Sequence, residues 1–318
     1  MKLSRCLYCY QELTEEDSGF HPKCSKVFFG TAIPPSLSLS KDELDKLAKE
    51  IIKKSITIPG VQPKLSLNLQ KNTEDPKKSR LTIVGLWGEY ILKPQSEKFK
   101  NLPENEDLIM HLAEIAGIET AKHTLLKTEA GDLVYLTKRF DRLNGKKVPM
   151  EDFCQLAGQL SADKYKSSME KAGALIQKYS STLYRTTDTI KFFEIALFSF
   201  LIGNSDMHLK NFSIIKDAEN QYKLSPAYDL LSSNLAMPAD KEQTALTLHG
   251  KKNRLRKPDF LSLAAKLGIS EPIAEKIISR FNNSMLKEFE GFVSKSFMPA
   301  ETQEKFIILM HSRFNVLN

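Results

Sequence analysis

Residues 203–215 run Gly-Asn-Ser-Asp-Met-His-Leu-Lys-Asn-Phe-Ser-Ile-Ile, with Asp206 and Asn211 five positions apart. That is the Asp-x-x-x-x-Asn spacing of phosphoryl-transfer loops. There, one carboxylate accepts the proton of an attacking hydroxyl, and a neutral amide holds Mg2+ against the charge on the phosphoryl group. A second carboxylate, Asp229, closes the segment Ser225-Pro226-Ala227-Tyr228-Asp229, where a second metal ligand belongs. Asp and Asn in loops also cap helices and make turns, so the surroundings must decide. Residues 189–202 are a deeply apolar stretch that predicts a buried helix stopping at Gly203, and residues 212–215 predict a strand. Helix, polar loop and strand in that order would set Asp206 on a rigid support.

Upstream elements complete the pattern. Residues 89–95, Glu-Tyr-Ile-Leu-Lys-Pro-Gln, place Lys93 at the end of an apolar strand. From Pro103 an amphipathic helix follows, with Leu108, Leu112, Ile115 and Ala116 at helical spacing and an end near Gly117. This helix carries Glu106, and a strand lysine paired with a helix glutamate orients ATP phosphates in kinases. Residues 58–64, Ile-Pro-Gly-Val-Gln-Pro-Lys, are a candidate phosphate-covering loop leading into an alternating strand at 65–69. Its single glycine fits neither G-x-G-x-x-G nor Walker A, and alone it reads as an ordinary turn. Taken in order, these pieces compose a kinase.

Six motifs then show a resemblance: Gly-Val-Gln-Pro-Lys, Ile-Leu-Lys-Pro, Glu-Asn-Glu, Thr-Lys-Arg-Phe-Asp-Arg, Gly-Asn-Ser-Asp-x-His-x-Lys-Asn-Phe-Ser and Pro-Ala-Tyr-Asp-Leu-Leu. From about residue 55 onward the chain resembles the HipA family of bacterial toxin kinases. The resemblance implies an α+β, two-lobed, protein-kinase-like fold with a small mixed N-lobe and a mainly helical C-lobe. The expected divisions are a Cys/His segment and helix at 1–54, an N-lobe at 55–150 and a C-lobe at 151–318. It implies ATP and Mg2+ as cofactors, Asp206 as the base, and Asn211 and Asp229 as metal ligands. Lys64, Lys93, Glu106 and His208 fall on the nucleotide side, with Lys138 and Phe140 at the hinge that receives adenine. An acidic residue often stands where this chain has Lys138, which puts a side-chain contact there in doubt.

Family members are Ser/Thr kinases of toxin–antitoxin systems whose characterised targets are aminoacyl-tRNA synthetases. About fifty residues precede the phosphate loop, so the chain is similar to the short HipT-like variant, in which a separate small protein supplies a missing subdomain. An antitoxin partner is expected as well. Thr57 aligns with a hydroxyl residue that the family autophosphorylates, and Ser55 lies two residues earlier on the same face of an extended segment. Phosphate there would set close to two negative charges beside the ATP phosphates. Two other readings stay open. A small-molecule phosphotransferase shares the Asp–Asn logic, although such enzymes usually show His-Gly-Asp where this chain has Asn204-Ser205-Asp206. A non-catalytic pseudokinase has no need to retain Lys93, Asp206, Asn211 and Asp229 together.

Composition agrees with this reading without producing it. The chain has 318 residues, 41% hydrophobic and 27% charged, ordinary for a globular protein and large enough for two lobes. Its longest apolar run, 192–202, contains Glu194 and is too short to span a membrane. Met1-Lys-Leu-Ser-Arg-Cys shows no apolar signal region, and four cysteines without secretory context suit a reducing compartment. The cytoplasm is the expected location. A net charge of +7 and the basic run 251–257 suggest docking of an acidic partner, or of tRNA on a synthetase. Without a helix-turn-helix signature, no direct sequence-specific nucleic-acid reading is expected.

The N-terminal segment holds Cys6-x-x-Cys9 and His21-x-x-Cys24, an order that suits a structural Zn2+ site. Free cysteines in a reducing compartment are the alternative, and both stay open on the sequence. Cys154 reads as a small buried hydrophobe. Pro34-Pro35 and the neighbouring serines suggest a linker, and Ser40-Lys-Asp-Glu43 a capping box before a helix with Leu44, Leu47, Ala48, Ile51 and Ile52 on one face. Strand-like runs at 121–127 and 133–140 precede a turn at Asn144-Gly145. Ser270-Glu271-Pro272 reads as a helix start, with Ile273, Ile277, Ile278 and Phe281 as its apolar stripe in a terminal helical pair.

Overall fold

The computed structural model describes residues 3–37, 43, 46–47, 63–84, 87–143 and 145–317. The chain divides into two compact units. One comprises Met1–Asp107, Ala121–Gly145 and Lys295–Phe297, and the other Leu108–Thr120, Lys146–Ser294 and Met298–Asn318.

The first unit is built on a six-stranded sheet of β1 (Ser36–Leu37), β2 (Leu65–Gln70), β3 (Arg80–Ile83), β4 (Tyr90–Lys93), β5 (His123–Lys127) and β6 (Leu133–Lys138), in the order β1-β3-β2-β4-β6-β5. Strand β2 forms because its leucines alternate with polar residues: Leu65 and Leu67 are buried, while Ser66 and Asn68 are half-buried. The register sets Leu65 against Leu92 and Lys93 against Tyr135. Leu65, Leu67, Leu81, Leu92, Leu125 and Leu136 form one core with Phe28 and Phe29 of helix α1 (Pro22–Phe29). Burying each such side chain contributes about 1.5–3 kcal/mol. The N-terminal Cys/His segment joins the same core through Cys6, Leu7 and Phe20.

The Pro34-Pro35 stretch is not a plain linker. It delivers Ser36 and Leu37 as an edge strand parallel to β3, with the Ser36 N–H donating to the Ser79 carbonyl at 3.0 Å. Two residues of pairing are too few to leave a strand pattern in a sequence. Of the capping box and the helix expected after it, only Glu43, Lys46 and Leu47 lie among the described residues; all three are helical, and Leu47 packs against the sheet's core.

Helix α2 (Leu102–Ile115) starts with Pro103 in its first turn and ends at Gly117, whose φ of +81° reverses the chain. Its residues through Asp107 belong to the first unit and the remainder to the second.

The second unit has a small antiparallel sheet, β7 (Met150–Asp152), β8 (Ser213–Lys216) and β9 (Tyr222–Leu224), with β8 central. Helices α3 (Met169–Tyr179), α4 (Arg185–Leu201), α5 (Lys257–Lys266), α6 (Glu271–Arg280), α7 (Asn283–Val293) and α8 (Ala300–Leu317) supply most of its mass. Helix α4 is apolar on nearly every side and is buried accordingly. Phe192 packs on Phe212 at a centroid separation of 4.9 Å, and Phe200 on Phe260 at 5.1 Å. At the helix start, buried Asp188 accepts the Leu224 N–H at 2.8 Å and so ties α4 to β9.

One surface expectation changes. Ile273 is 46% exposed, and the buried stripe of α6 is Ala274, Ile277 and Ile278 followed by Phe281. At about 100° per residue Ile273 lies roughly a quarter turn from the centre of that stripe. The basic run 251–257 is largely paired internally: Lys251 with Asp259 at 2.7 Å, Lys252 with Glu242 at 2.9 Å, and Lys257 with Glu275 at 3.5 Å. No helix among the described residues is long and apolar enough to cross a membrane. Cys154 is buried, its thiol directed to the Gln159 and Leu160 carbonyls at 3.4 and 3.3 Å.

Candidate active site

The Asp206 loop is held from three sides. Helix α4 ends at Leu201, and Gly203 turns the chain with φ of +70°. A Cβ at Gly203 would meet Leu309 Cδ2 at 2.6 Å and Asn234 Oδ1 at 3.3 Å, so those side chains would have to give, while the left-handed dihedral itself favours glycine. The Asn234 N–H donates to the Gly203 carbonyl at 3.0 Å, and the Ser205 N–H donates to Ser233 Oγ at 2.7 Å. Ser205 Oγ donates to Asp240 at 2.6 Å, and Asn204 Oδ1 accepts the Asp206 N–H at 3.1 Å. Behind them Arg313 reaches Asn234 Oδ1 at 3.2 Å and lies over the Phe200 ring at 4.9 Å. Buried polar networks of this kind favour one backbone arrangement.

Asn211 closes a single 3-10 turn, and its Oδ1 accepts the His208 N–H at 3.3 Å. Tyr228 then links the loop to Asp229. Its hydroxyl donates to the Lys210 carbonyl at 2.9 Å and lies 2.6 Å from Ser213 Oγ. The Ala227 N–H donates to the Glu119 carbonyl at 2.8 Å. Asp229 itself has φ of +59°; a non-glycine residue held there is strained, and such strain gathers at functional sites. The Asn211 amide oxygen and Asp229 carboxylate are the hard oxygen donors that Mg2+ takes.

His208 is buried, which holds its pKa below the usual value, while the nearby Asp206 and Asp229 carboxylates pull it the other way. Tyr165, forty-one residues before Asp206 in sequence, donates its hydroxyl to Asp206 Oδ1 at 2.5 Å and meets the His208 ring edge-on at 5.0 Å. Burial and then the Asp206 charge push the Tyr165 pKa up, so it remains a donor at neutral pH. Tyr165 and the Ser205–Ser233–Asn234–Asp240 network escape the sequence reading, because nothing in their local spacing links them to the loop. Tyr228 was legible only as a neighbour of Asp229.

In the first unit Lys93 ends β4 and its ammonium lies 2.5 Å from Glu106 Oε1, both residues being almost fully buried. Tyr135, opposite Lys93 in the sheet, presents its ring 5.4 Å from that ammonium. Lys64 immediately precedes β2, whose first residue Leu65 pairs with Leu92 next to Lys93. Lys64 is exposed. At the hinge Lys138 is exposed and Phe140 half-buried; the Lys138 N–H already donates to the Lys122 carbonyl at 2.8 Å. Asp141 fixes the chain just beyond by pairing with Arg139 and Arg142, each at 2.7 Å. Ser55, Thr57 and residues 58–62 of the phosphate loop lie outside the described residues. The structure brings Cys6, Cys9, His21 and Cys24 together, their ligand atoms all within 4.8 Å of one another.

The family model described as HipA-like C-terminal domain matches residues 56–289. A Sinorhizobium fredii protein provisionally named a kinase is 34% identical over 71% of this chain and 58% of its own length. A second from the same organism is 29% identical over 72% and 55%. The chain thus spans little more than half the length of these two curated relatives. The Ser/Thr-protein kinase toxin HipA of Shewanella oneidensis is 28% identical over 58% of this chain and 44% of its own length. Among solved structures, a chain of the Shewanella oneidensis HipA, HipB and operator DNA complex superposes with a TM-score of 0.66 at 18% identity, covering 85% of this chain and 71% of that one. The Helicobacter pylori proinflammatory kinase CtkA superposes at 0.53 and 14% identity, over 80% of this chain and 95% of its own. These likenesses establish the α+β, protein-kinase-like fold. With the family match spanning most of its length, the chain belongs to the HipA-like family of kinase-fold proteins.

Proposed function

We propose that this chain is an ATP- and Mg2+-dependent Ser/Thr protein kinase acting as the toxin of a toxin–antitoxin pair. The observation that carries the reading is the buried Lys93–Glu106 pair at 2.5 Å, in a chain that also sets Asp206, Asn211 and Asp229 in one braced loop region. In this reading Lys93, oriented by Glu106, neutralises ATP phosphate charge, with Lys64 beside it. Asp206 accepts the proton of the attacking hydroxyl. Asn211 and Asp229 hold Mg2+, which when bound balances charge on the phosphates. His208, close enough to feel both carboxylates, positions the loop through its N–H on Asn211 Oδ1, and residues 138–140 receive adenine. Because phosphoryl transfer asks little covalent chemistry of the protein, positioning by the braced loop supplies most of the catalysis.

The finer expectations follow the family. The substrate is an aminoacyl-tRNA synthetase, Ser55 and Thr57 are self-phosphorylated, and an antitoxin and a small companion protein are partners in the cytoplasm. Support comes from the named HipA toxin relative and from the HipA–HipB complex whose fold this chain shares.

The test is the intact mass of the purified protein before and after Mg2+-ATP, beside Asp206→Asn. Gain of whole phosphates in the wild type alone, mapped to the 55–57 segment, is the expected result. Wild-type labelling of Asp206→Asn would remove the assigned base. No gain, with no phosphate at the start, would favour a small-molecule kinase or a pseudokinase.

A further inference from the structure

The N-terminal segment is too short to build a core of its own, and its four soft ligands converge. Cys9 Sγ lies 3.4 Å and Cys24 Sγ 3.7 Å from His21 Nδ1. Tetrahedral Zn2+ with its usual bond lengths sets sulfur and nitrogen ligands about 3.6 Å apart and two sulfurs about 3.8 Å apart. All four cysteines of the chain are free thiols, so none of these three sulfurs is held in a disulfide.

The backbone is shaped for the same purpose. Cys6 and Cys9 flank a tight knuckle in which the Tyr10 N–H donates to the Cys6 carbonyl at 2.9 Å and the Cys6 N–H to the Gln11 carbonyl at 2.8 Å. Tyr10 has φ of +61°, a conformation that a non-glycine residue adopts only when its surroundings impose it. His21 precedes helix α1 at its N-cap position and Cys24 sits in the first turn, three residues on. His21 Nε2 is 2.9 Å from the Glu12 carbonyl. A ring N–H donated there leaves the Nδ1 lone pair facing the three sulfurs, the outer contact that zinc-bound histidines commonly make.

We infer that Cys6, Cys9, His21 and Cys24 bind one structural Zn2+, which staples the N-terminal segment onto the sheet edge at β5. The segment meets the sheet through the core contacts of Cys6, Leu7 and Phe20 and through hydrogen bonds. The Leu7 carbonyl accepts from the Leu125 N–H at 3.3 Å and from Thr124 Oγ1 at 3.0 Å, and the Tyr10 hydroxyl donates to Asp107 at 2.7 Å. Asp107 also pairs with His123 at 2.7 Å, and it is the next residue after Glu106. Metal binding is folding energy for a segment of this kind. The closed four-ligand set leaves no position for substrate, so the ion is structural rather than catalytic.

The test is metal analysis of the full-length protein, purified under reducing conditions without chelator, and of the same protein reconstituted with Co2+. The expected result is roughly one zinc per chain, with cobalt giving the visible bands of a tetrahedral thiolate site. Cys6→Ser and Cys24→Ser lose the ion, Cys154→Ser retains it, and His21→Cys retains it by supplying a fourth thiolate. Asp206→Asn retains it too, so the result is independent of the kinase reading. If the cysteine variants fail to fold, chelation of wild type followed by zinc return still reports the site, through reversible loss and recovery of the thermal transition. Absence of metal in both zinc and cobalt preparations overturns the inference, as does a mass showing a disulfide among the three cysteines.

Discussion

The Tyr165 hydroxyl donates to Asp206 Oδ1 at 2.5 Å, so the proposed base already holds a phenolic donor where a substrate hydroxyl would bind. A substrate must displace that contact. A hydrogen bond to a charged group is worth about 1.5–3 kcal/mol, less at a partly exposed site. Tyr165→Phe should therefore lower KM for a protein acceptor by about threefold to tenfold, with kcat little changed. Steady-state kinetics at saturating ATP decide this, and a fall in kcat instead would make Tyr165 a positioning residue.

Lys93 and Glu106 are buried together, which makes either one alone a liability. Lys93→Met should destabilise the fold by about 3 kcal/mol, because a buried charge loses its partner. The double variant Lys93→Met, Glu106→Leu should recover most of that stability and none of the phosphoryl transfer. Denaturant unfolding of the wild type and the two variants, read beside ATP turnover, separates the two roles. Equal stability of single and double variants would show that the pair is not coupled.

Gly203→Ala tests the support of the catalytic loop. The left-handed backbone alone costs about 1–2 kcal/mol for a residue with a Cβ, and the 2.6 Å approach to Leu309 adds to it. The variant should unfold at lower denaturant and transfer phosphate at least tenfold more slowly, since the loop must shift. Wild-type stability would show that the turn relaxes freely.

Asp141 links Arg139 and Arg142 at the hinge. Burial alone would raise its pKa, but the hydrogen bonds and charges of the two arginines outweigh it and hold the carboxyl below its ordinary 3.8. A depressed carboxyl stabilises the fold above its unfolded pKa, and that contribution is lost as pH falls through the folded value. Asp141→Asn should cost about 2 kcal/mol near neutrality. The wild-type advantage should hold down to about pH 5 and shrink as pH drops below 3.8. Thermal unfolding of both proteins across that range checks the sign, and a gap that widened in acid would reverse it.

Much of the scaffold was legible because it is written locally. The buried helix before Gly203, the strand ending at Lys93 and the helix carrying Glu106 each follow from apolar periodicity with a glycine or proline stop, and all three are observed. The reading missed where periodicity is short or sits at an edge, as with the two-residue strand after Pro35 and the exposed Ile273.

By itself the sequence determined the order of chemical groups along the chain: a lysine strand, a glutamate helix, Asp206, Asn211 and Asp229, and two cysteine-bearing pairs near the start. Residue type and spacing suffice for that, since strands repeat every two residues and helices every three or four. Tertiary structure alone decided which distant groups meet: Tyr165 on Asp206, Ser205 on Asp240, Tyr10 on Asp107, and Cys6 with Cys24. Those pairs are separated by eighteen to ninety-seven positions in the chain, and only the packing of whole elements brings them within reach of a hydrogen bond or a shared ion.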